Sequence, residues 1–182
     1  MIFWLLSISL LSILSRASDG SILYFEIHHP EDIAYSYRGR FARDFGGIFE
    51  RFMSHVPLIP ASPIEACPDA PPTNVAQLKG NMMLIKRGGC SFLEKAIVAQ
   101  NTGVIGAIIF NDDPIDVDSN IDMVDDGSEK SHLVDIPIVW LQGKNGHMIL
   151  NSIYKHGMAA SLSLPHNHTY TIPANKTPWD LW

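Results

Sequence analysis

The segment MMLIKRGGCSFLEKAIVAQNTGVIGAIIFN, residues 82–111, carries the clearest signals of secondary structure in this chain. It begins with a short apolar run, Met82 to Ile85, and ends with a longer run, Val104 to Phe110. The second run is rich in β-branched residues, which is typical of a strand buried on both faces. Between the runs lies a segment whose apolar residues fall close to helical spacing. The stretch therefore predicts a strand, a helix and a second strand.

The predicted helix has its own start and stop signals. Ser91 is a candidate N-cap, and Glu94 lies three residues later, which is the capping-box spacing. Gly103 is expected just past the end of the helix, where glycine adopts the left-handed conformation at little cost. Gly88 and Gly89 allow a tight reversal between the first strand and the helix.

The flanking sequence extends this organisation in both directions. Alternating and apolar runs predict four further strands and one helix: strands over 21–27, 33–41, 136–141 and 159–164, and a helix over 143–156. Residues 57–74 contain six prolines, and because proline cannot donate to a ladder we predict a loop there and no core strand. The order of elements indicates a single mixed α/β domain.

The first 17 residues are predicted to be a signal peptide. Ile2 to Leu14 is apolar apart from serines, has the length of an h-region, and is too short to cross a hydrocarbon core of about 30 Å. Ser15 and Ala17 place small residues at the −3 and −1 positions, although the segment before the apolar run has no Lys or Arg. We therefore expect a secreted chain with no membrane insertion after cleavage. An uncleaved anchor or a buried N-terminal strand is the alternative.

The charge of the chain excludes several classes of partner. The sequence has 13 basic and 19 acidic residues, a formal net charge of −6. No basic cluster of five or more residues occurs in it. This balance argues against nucleic acid and against anionic membrane surfaces as partners.

The chain has two cysteines, Cys67 and Cys90, and both follow the predicted cleavage site. An even number of cysteines in an oxidising compartment suggests a disulfide. A reactive thiol, or half of a metal site, remains as an alternative, although the spacing matches no Cys-x-x-Cys motif.

The central stretch resembles the signature of the protease-associated (PA) domain family. The matching residues are Arg87-Gly88-Gly89-Cys90-Ser91-Phe92, Lys95, Gly106-Ala107 and the apolar run that ends at Asn111, and downstream Ile136-Pro137-Ile138. The resemblance covers residues 45–165. The flanking residues narrow the resemblance to small secreted proteins made of one such domain. These residues are Asp44 to Phe49, the Asn167 sequon and Pro178-Trp179 with Trp182.

The resemblance implies an α+β fold, a compact β-rich domain built as a twisted sheet or open barrel with two or more flanking helices. It also implies a bridge between Cys67 and Cys90 and a glycan at Asn167. Residues 18–44 would supply strands leading into the domain, and 166–182 would form an extended tail. We expect Trp179 and Trp182 to anchor this tail on the domain itself, with a partner-facing role as the alternative.

The sequence contains no recognisable catalytic motif. Neither a Gly-x-Ser-x-Gly elbow nor a His-Glu-x-x-His helix occurs in it. Members of the resembled family serve as lids, substrate-positioning surfaces or ligand binders. We therefore expect a non-catalytic interaction module without a cofactor, which binds a protein or peptide partner of unknown identity. A secreted hydrolase, or a protease-accessory subunit, with unrecognised active residues is the alternative.

Residues 111–130, here called the acidic loop, are the candidate interaction surface. This segment is polar and predicted to be exposed, and it carries seven aspartates: Asp112, Asp113, Asp116, Asp118, Asp122, Asp125 and Asp126. Their charge suggests a partner with a basic surface.

We predict no metal site in the chain. The acidic loop departs from the EF-hand pattern, because a frame starting at Asp116 has Ile121 where glycine is needed and Gly127 where glutamate is needed. Weak calcium binding by the loop is the remaining alternative. The adjacent His28 and His29 would point to opposite faces of a strand, and His166-x-His168 flanks a predicted glycan.

We predict N-glycosylation of the secreted chain. The sequons are Asn167-His168-Thr169 and Asn175-Lys176-Thr177, and Pro178 after the second is expected to lower its occupancy. A glycosidase that removes N-linked glycans should therefore reduce the mass of the secreted protein. An unchanged mass would contradict the prediction.

Overall fold

The computed structural model describes residues 22–165 together with Thr177 and Trp179. The predicted signal peptide, the acceptor residues Asn167 and Asn175 of the two sequons, the His166-x-His168 pair and Trp182 lie outside the described residues. Within the described part, no helix is both long enough and apolar enough to cross a membrane.

Seven strands form a closed barrel: β1 Ile22–His29, β2 Ser36–Phe41, β3 Met53–Pro60, β4 Met82–Lys86, β5 Gly106–Phe110, β6 Ile138–Leu141 and β7 Ala160–Leu164. Around the barrel the order is β1-β2-β6-β5-β4-β3-β7. The pairs β3/β4, β4/β5 and β5/β6 are parallel, and the other pairs are antiparallel.

Three helices accompany these strands in the described residues: α1 Val75–Leu78, α2 Phe92–Asn101 and α3 Gly143–His156. The predicted start of α2 is confirmed, since Ser91 and Glu94 form a reciprocal capping box. Gly103 has a φ of 79° just past its end, as predicted. The predicted bounds of α3 are confirmed as well, with Gly157 in the left-handed conformation at its C-terminus.

Two layers of apolar side chains meet at the parallel strands. Leu84 and Ile108 belong to a cluster that fills the barrel and includes the inner face of α3. Their neighbours Ile85 and Ile109 belong to a second cluster, which α2 covers from outside. Strands β4 and β5 are therefore buried on both faces, as the sequence predicts for β5.

The sheet closes fully, whereas the sequence predicted a twisted sheet or open barrel. Closure comes from β1, which pairs with β2 on one side and with β7 on the other. The N-terminal strands, expected to lead into the domain, are thus part of the barrel itself. Closure leaves no strand in the barrel with a whole edge unpaired.

The prediction of a loop over 57–74 was wrong at its start, because β3 runs to Pro60 and buries Leu58 completely. The prolines are tolerated because each lies where β3 has one neighbour. Pro57 pairs with β7 before the pairing with β4 begins, and Pro60 pairs with β4 after the pairing with β7 ends. The remaining segment is irregular, as predicted, and the Cys67–Cys90 disulfide ties it to the start of α2.

We predict that Gly146→Ala destabilises the protein, because a Cβ atom at this position of α3 would lie 2.2 Å from the Phe110 side chain. Overpacking of this kind should lower the free energy of unfolding by about 1–3 kcal/mol, measured by urea denaturation. Asn151→Ala, at an exposed position of the same helix, is the matched control and should change little. Equal stability of both variants would contradict the packing of α3 on β5.

Candidate functional site

Asp116 anchors the acidic loop to the domain. Its carboxylate accepts hydrogen bonds from Asn111 Nδ2 at 3.0 Å, from the Ser119 backbone N–H at 2.9 Å and from the Gly143 N–H at 3.1 Å. The Ser119 hydroxyl also donates to it. Because Gly143 is the first residue of α3, the carboxylate also places a negative charge at the positive end of a helix.

These contacts control the ionisation of Asp116. Partial burial alone would raise the pKa of the carboxyl, but the hydrogen bonds from Ser119, Asn111 and Gly143 outweigh it and lower the pKa to about 2. Asp116 is therefore ionised in the folded protein at neutral pH and acts as a structural acceptor.

Other aspartates of the acidic loop are paired within the domain. Asp122 forms ion pairs with Arg40 at 3.0 Å and with Arg43 at 3.7 Å. Asp126 accepts a hydrogen bond from the Ser91 hydroxyl at 2.5 Å. Asp113 and Asp125 cap local turns by accepting backbone N–H groups two residues ahead, and Asp112 and Asp118 are exposed. Much of the charge that suggested a basic partner therefore serves the loop's own structure.

The loop is also less exposed than predicted. Met123 is 1 % exposed and packs in the cluster beneath α2. The Trp140 indole N–H donates to the Ser119 carbonyl at 3.2 Å, which ties the loop to the outer face of β6. An apolar anchor and a set of internal hydrogen bonds thus hold a segment whose composition alone predicted a solvated loop.

In the part of the chain that the structure describes, the other titratable clusters form no recognisable catalytic or metal site. Among the described residues, no group of three or more His, Cys, Asp or Glu could hold a metal ion. The His28 Nε2 lies 2.8 Å from the Ser163 hydroxyl, and its ring centroid is 5.6 Å from that of His55. His28 and His55 lie on the outer surface of the barrel, on β1 and β3, and Ser163 belongs to the neighbouring strand β7.

A serine, a histidine and an aspartate do meet at the end of α3. The Asp32 carboxylate accepts from the Ser152 hydroxyl at 2.6 Å and lies 3.2 Å from His156 Nε2. The hydrogen bond from Ser152 is the main cause that lowers the pKa of Asp32 to about 2. In a catalytic triad the histidine lies between the other two, but here the aspartate does. The cluster joins the turn after β1 to the C-terminus of α3.

A cleft of about 600 Å³ lies between the end of β3 and the end of α3. We call it the Tyr154 groove. It is lined by Ile59, Pro60, Ala61, Ser62, Asn74, Gln77, Ile153, Tyr154, Gly157, Met158 and Ala159. None of these side chains is charged, and two large hydrophobic ones are exposed, Tyr154 at 63 % and Met158 at 51 %.

One wall of the groove exists because β3 leaves β7 after Leu58 while continuing along β4. The Asn74 side chain then takes the place of a neighbouring strand. Its Nδ2 donates to the Pro60 carbonyl at 2.9 Å, and its Oδ1 accepts from the Ser62 N–H at 3.1 Å. The backbone groups at this wall are satisfied, so the wall is preformed.

The opposite wall is the last turn of α3 and the segment after it. Ile153 is buried against the barrel, whereas Tyr154 and Met158 project from the surface. Sequence reasoning missed this groove, since its two walls come from segments about 80–100 residues apart. The available signal was a tyrosine on what should be the polar side of the end of α3, followed by a methionine just past the helix.

Trp179 contacts its own domain, as expected for the tail. Its indole N–H donates to Asn145 Oδ1 at 2.9 Å, and the Lys144 ammonium lies 4.2 Å from its ring centroid. The described part of the tail is therefore attached near the start of α3, at the helix end opposite the Tyr154 groove.

Comparisons with known proteins agree with this architecture. The family model of the PA domain matches residues 54–149. A PRADC1-like protein of Drosophila melanogaster is 36% identical over 165 residues, which cover 88% of this chain and 82% of that protein. The human ER degradation-enhancing alpha-mannosidase-like protein 3 is 36% identical over 87 residues, 46% of this chain and 9% of that protein.

A solved structure shares the fold. An aminopeptidase from Aneurinibacillus sp. strain AM-1 superposes with a TM-score of 0.54 at 19% sequence identity. The match covers 78% of this chain and 29% of that chain. At this level of identity the likeness shows the architecture alone.

We predict that Asp116→Asn lowers the free energy of unfolding at pH 7 by about 1–3 kcal/mol, because a charged acceptor of several hydrogen bonds is lost. The folded-state pKa is depressed, so this stabilisation is present above the unfolded pKa and is lost as pH falls from about 4 through about 2. Urea denaturation at pH 7 and at about pH 2 measures both effects.

Asp118→Asn is the matched control in the same loop, since Asp118 is exposed, and it should change stability by less than about 0.5 kcal/mol. A wild-type advantage over Asp116→Asn that persists undiminished at the lower pH would contradict the assigned ionisation.

Proposed function

This chain belongs to the PA domain family, and from that premise we propose that it is a secreted, non-catalytic interaction module. It binds an extended, uncharged peptide segment of a protein partner in the Tyr154 groove. The preformed cleft of about 600 Å³ with an uncharged lining is the observation that carries this proposal. Its size falls within the range of ordinary ligand sites.

Secretion is supported by a signal-like leader, by two glycosylation sequons and by a disulfide. The apolar leader has signal-peptide length and two sequons occur near the C-terminus. The Cys67–Cys90 disulfide fits an oxidising compartment, since such bonds are rare where thiols are kept reduced.

The chemistry of the groove favours an apolar peptide side chain. An uncharged lining leaves a buried charge on the ligand without a partner, so a charged side chain would be rejected. Tyr154 offers a ring with a polar tip, and Met158 offers a flexible thioether that adapts to different shapes. Gln77 is exposed at the rim, where its amide can pair with the backbone of an extended segment.

Two other functions compete with this proposal. A basic partner could bind the acidic loop, although Asp116, Asp122 and Asp126 are already engaged within the domain. A hydrolase or protease-accessory role would require reacting groups in a productive order. The arrangement of Asp32 between Ser152 and His156 does not offer one.

We predict that peptides selected from a random display library against the full-length secreted protein bind at the groove. Tyr154→Ser should weaken binding of a selected peptide at least tenfold, which corresponds to about 1.4 kcal/mol, measured by fluorescence anisotropy. Ile115→Ser removes a side chain that is also highly exposed but lies outside the groove. That control should bind like the wild type, and binding should depend little on salt.

The other outcomes distinguish the competing functions. Salt-sensitive binding that is lost on replacing Asp112 and Asp118 by Asn, and kept in Tyr154→Ser, would assign recognition to the acidic loop. Cleavage of library peptides by the purified protein would support the hydrolase alternative and overturn the non-catalytic proposal.

A further inference from the structure

Lys95 is a fully buried lysine of α2, and it takes no part in the Tyr154 groove or in the anchoring of the acidic loop. Its ammonium donates to two backbone carbonyls, Glu65 at 2.5 Å and Gly88 at 2.6 Å. The third contact is with Cys67 Sγ, at 3.4 Å. All three donors of the ammonium are therefore engaged, and one of them is aimed at a sulfur of the disulfide.

The contacts of Lys95 are all with uncharged atoms. Two are backbone carbonyls and the third is a disulfide sulfur, which is a weak acceptor. The Lys95 ammonium therefore has no anion in direct contact. Burial lowers the pKa of Lys95 to about 8, while the more distant carboxylates of Glu65 and Glu94 oppose this shift. At neutral pH most molecules keep the ammonium charged. An anion formed at Cys67 would gain an ion pair in a desolvated site.

The two cysteines of the disulfide differ in their exposure to solvent. Cys67 is buried, with 5 % of its surface exposed, whereas Cys90 is only partly buried and follows the exposed Gly89. A thiolate arriving from solvent therefore reaches Cys90 first. Attack there makes Cys67 the leaving group, which is the sulfur that Lys95 contacts.

We propose that the Cys67–Cys90 disulfide is a thiol-exchange site for low-molecular-weight thiols, with Cys90 as the attacked sulfur and Lys95 as the group that stabilises Cys67 as the departing thiolate. The incoming thiolate forms a bond to Cys90 Sγ as the bond between the two cysteines breaks. The electron pair of that bond leaves on Cys67. A second thiol then attacks the adduct, releases the small-molecule disulfide and leaves Cys90 reduced.

The contact between Lys95 and Cys67 should make the disulfide exchange faster and reduce more readily. A leaving thiol with a lower pKa departs faster, and a neighbouring lysine lowers a cysteine pKa. The same ion pair stabilises the reduced protein, so Lys95 shifts the equilibrium toward reduction. Reduction would remove the covalent tie between the irregular segment 61–74 and the start of α2.

Lys95→Met tests the proposal in the full-length protein equilibrated with glutathione redox buffers at pH 7. The equilibrium constant for reduction should fall about tenfold, which corresponds to ~30 mV for a two-electron couple. Mass spectrometry of the quenched wild type should place the glutathione adduct on Cys90. Lys86→Met is the matched control, because Lys86 pairs with the Glu65 carboxylate in the same region without a contact to sulfur.

A second measurement separates charge stabilisation from loosening of the fold. In a Cys90→Ser background, the ultraviolet absorbance of the Cys67 thiolate should titrate below the free-thiol pKa of about 8.5. Adding Lys95→Met should move the titration above that value. A glutathione adduct on Cys67, an unchanged equilibrium in Lys95→Met, or a Cys67 titration indifferent to Lys95 would each overturn the proposal.

Discussion

The burial of β4 and β5 on both faces determines how the other strands and the helices are arranged. Alternate residues of these strands fill the barrel interior and the layer beneath α2. A strand of this kind needs a cover on each side, since neither face can be left in water. The remaining strands close the inner side, with α3 packed against it, and α2 with the buried part of the acidic loop covers the outer side.

This constraint also explains where the polar chemistry lies. The parallel strands β4, β5 and β6 end at the same edge of the barrel, and the loops after them converge there. Arg87, just after β4, donates to Asn111, just after β5, and lies near the rings of Phe92 and Trp140. Cys90 of the disulfide, the buried Lys95 and the Asp116 anchor lie in these same connections. The Tyr154 groove lies elsewhere, where β3 separates from β7.

The sequence predicted those features that local interactions encode. The capping box at Ser91, both long helices and the double burial of β5 follow from patterns within a few residues of sequence. Closure of the barrel did not, because β1 and β7 pair across more than 130 residues, and register between such segments leaves no local pattern. The prolines of β3 were misjudged because their tolerance depends on which neighbour is absent at each position. The groove was missed for the same reason, since only the tertiary structure joins Asn74 to Tyr154.

Site-specific photocrosslinking gives the sharpest test of whether this domain recognises protein segments at the Tyr154 groove. A photoreactive phenylalanine analogue would be placed at position 154 of the full-length protein and, in a separate variant, at exposed position 118 of the acidic loop. Each variant would then be irradiated in extracellular fluid. Recognition at the groove should give one recurrent adduct from position 154, mapped to an uncharged segment and suppressed by a groove-selected peptide. Recurrent adducts from position 118 alone, unaffected by that peptide, would contradict it.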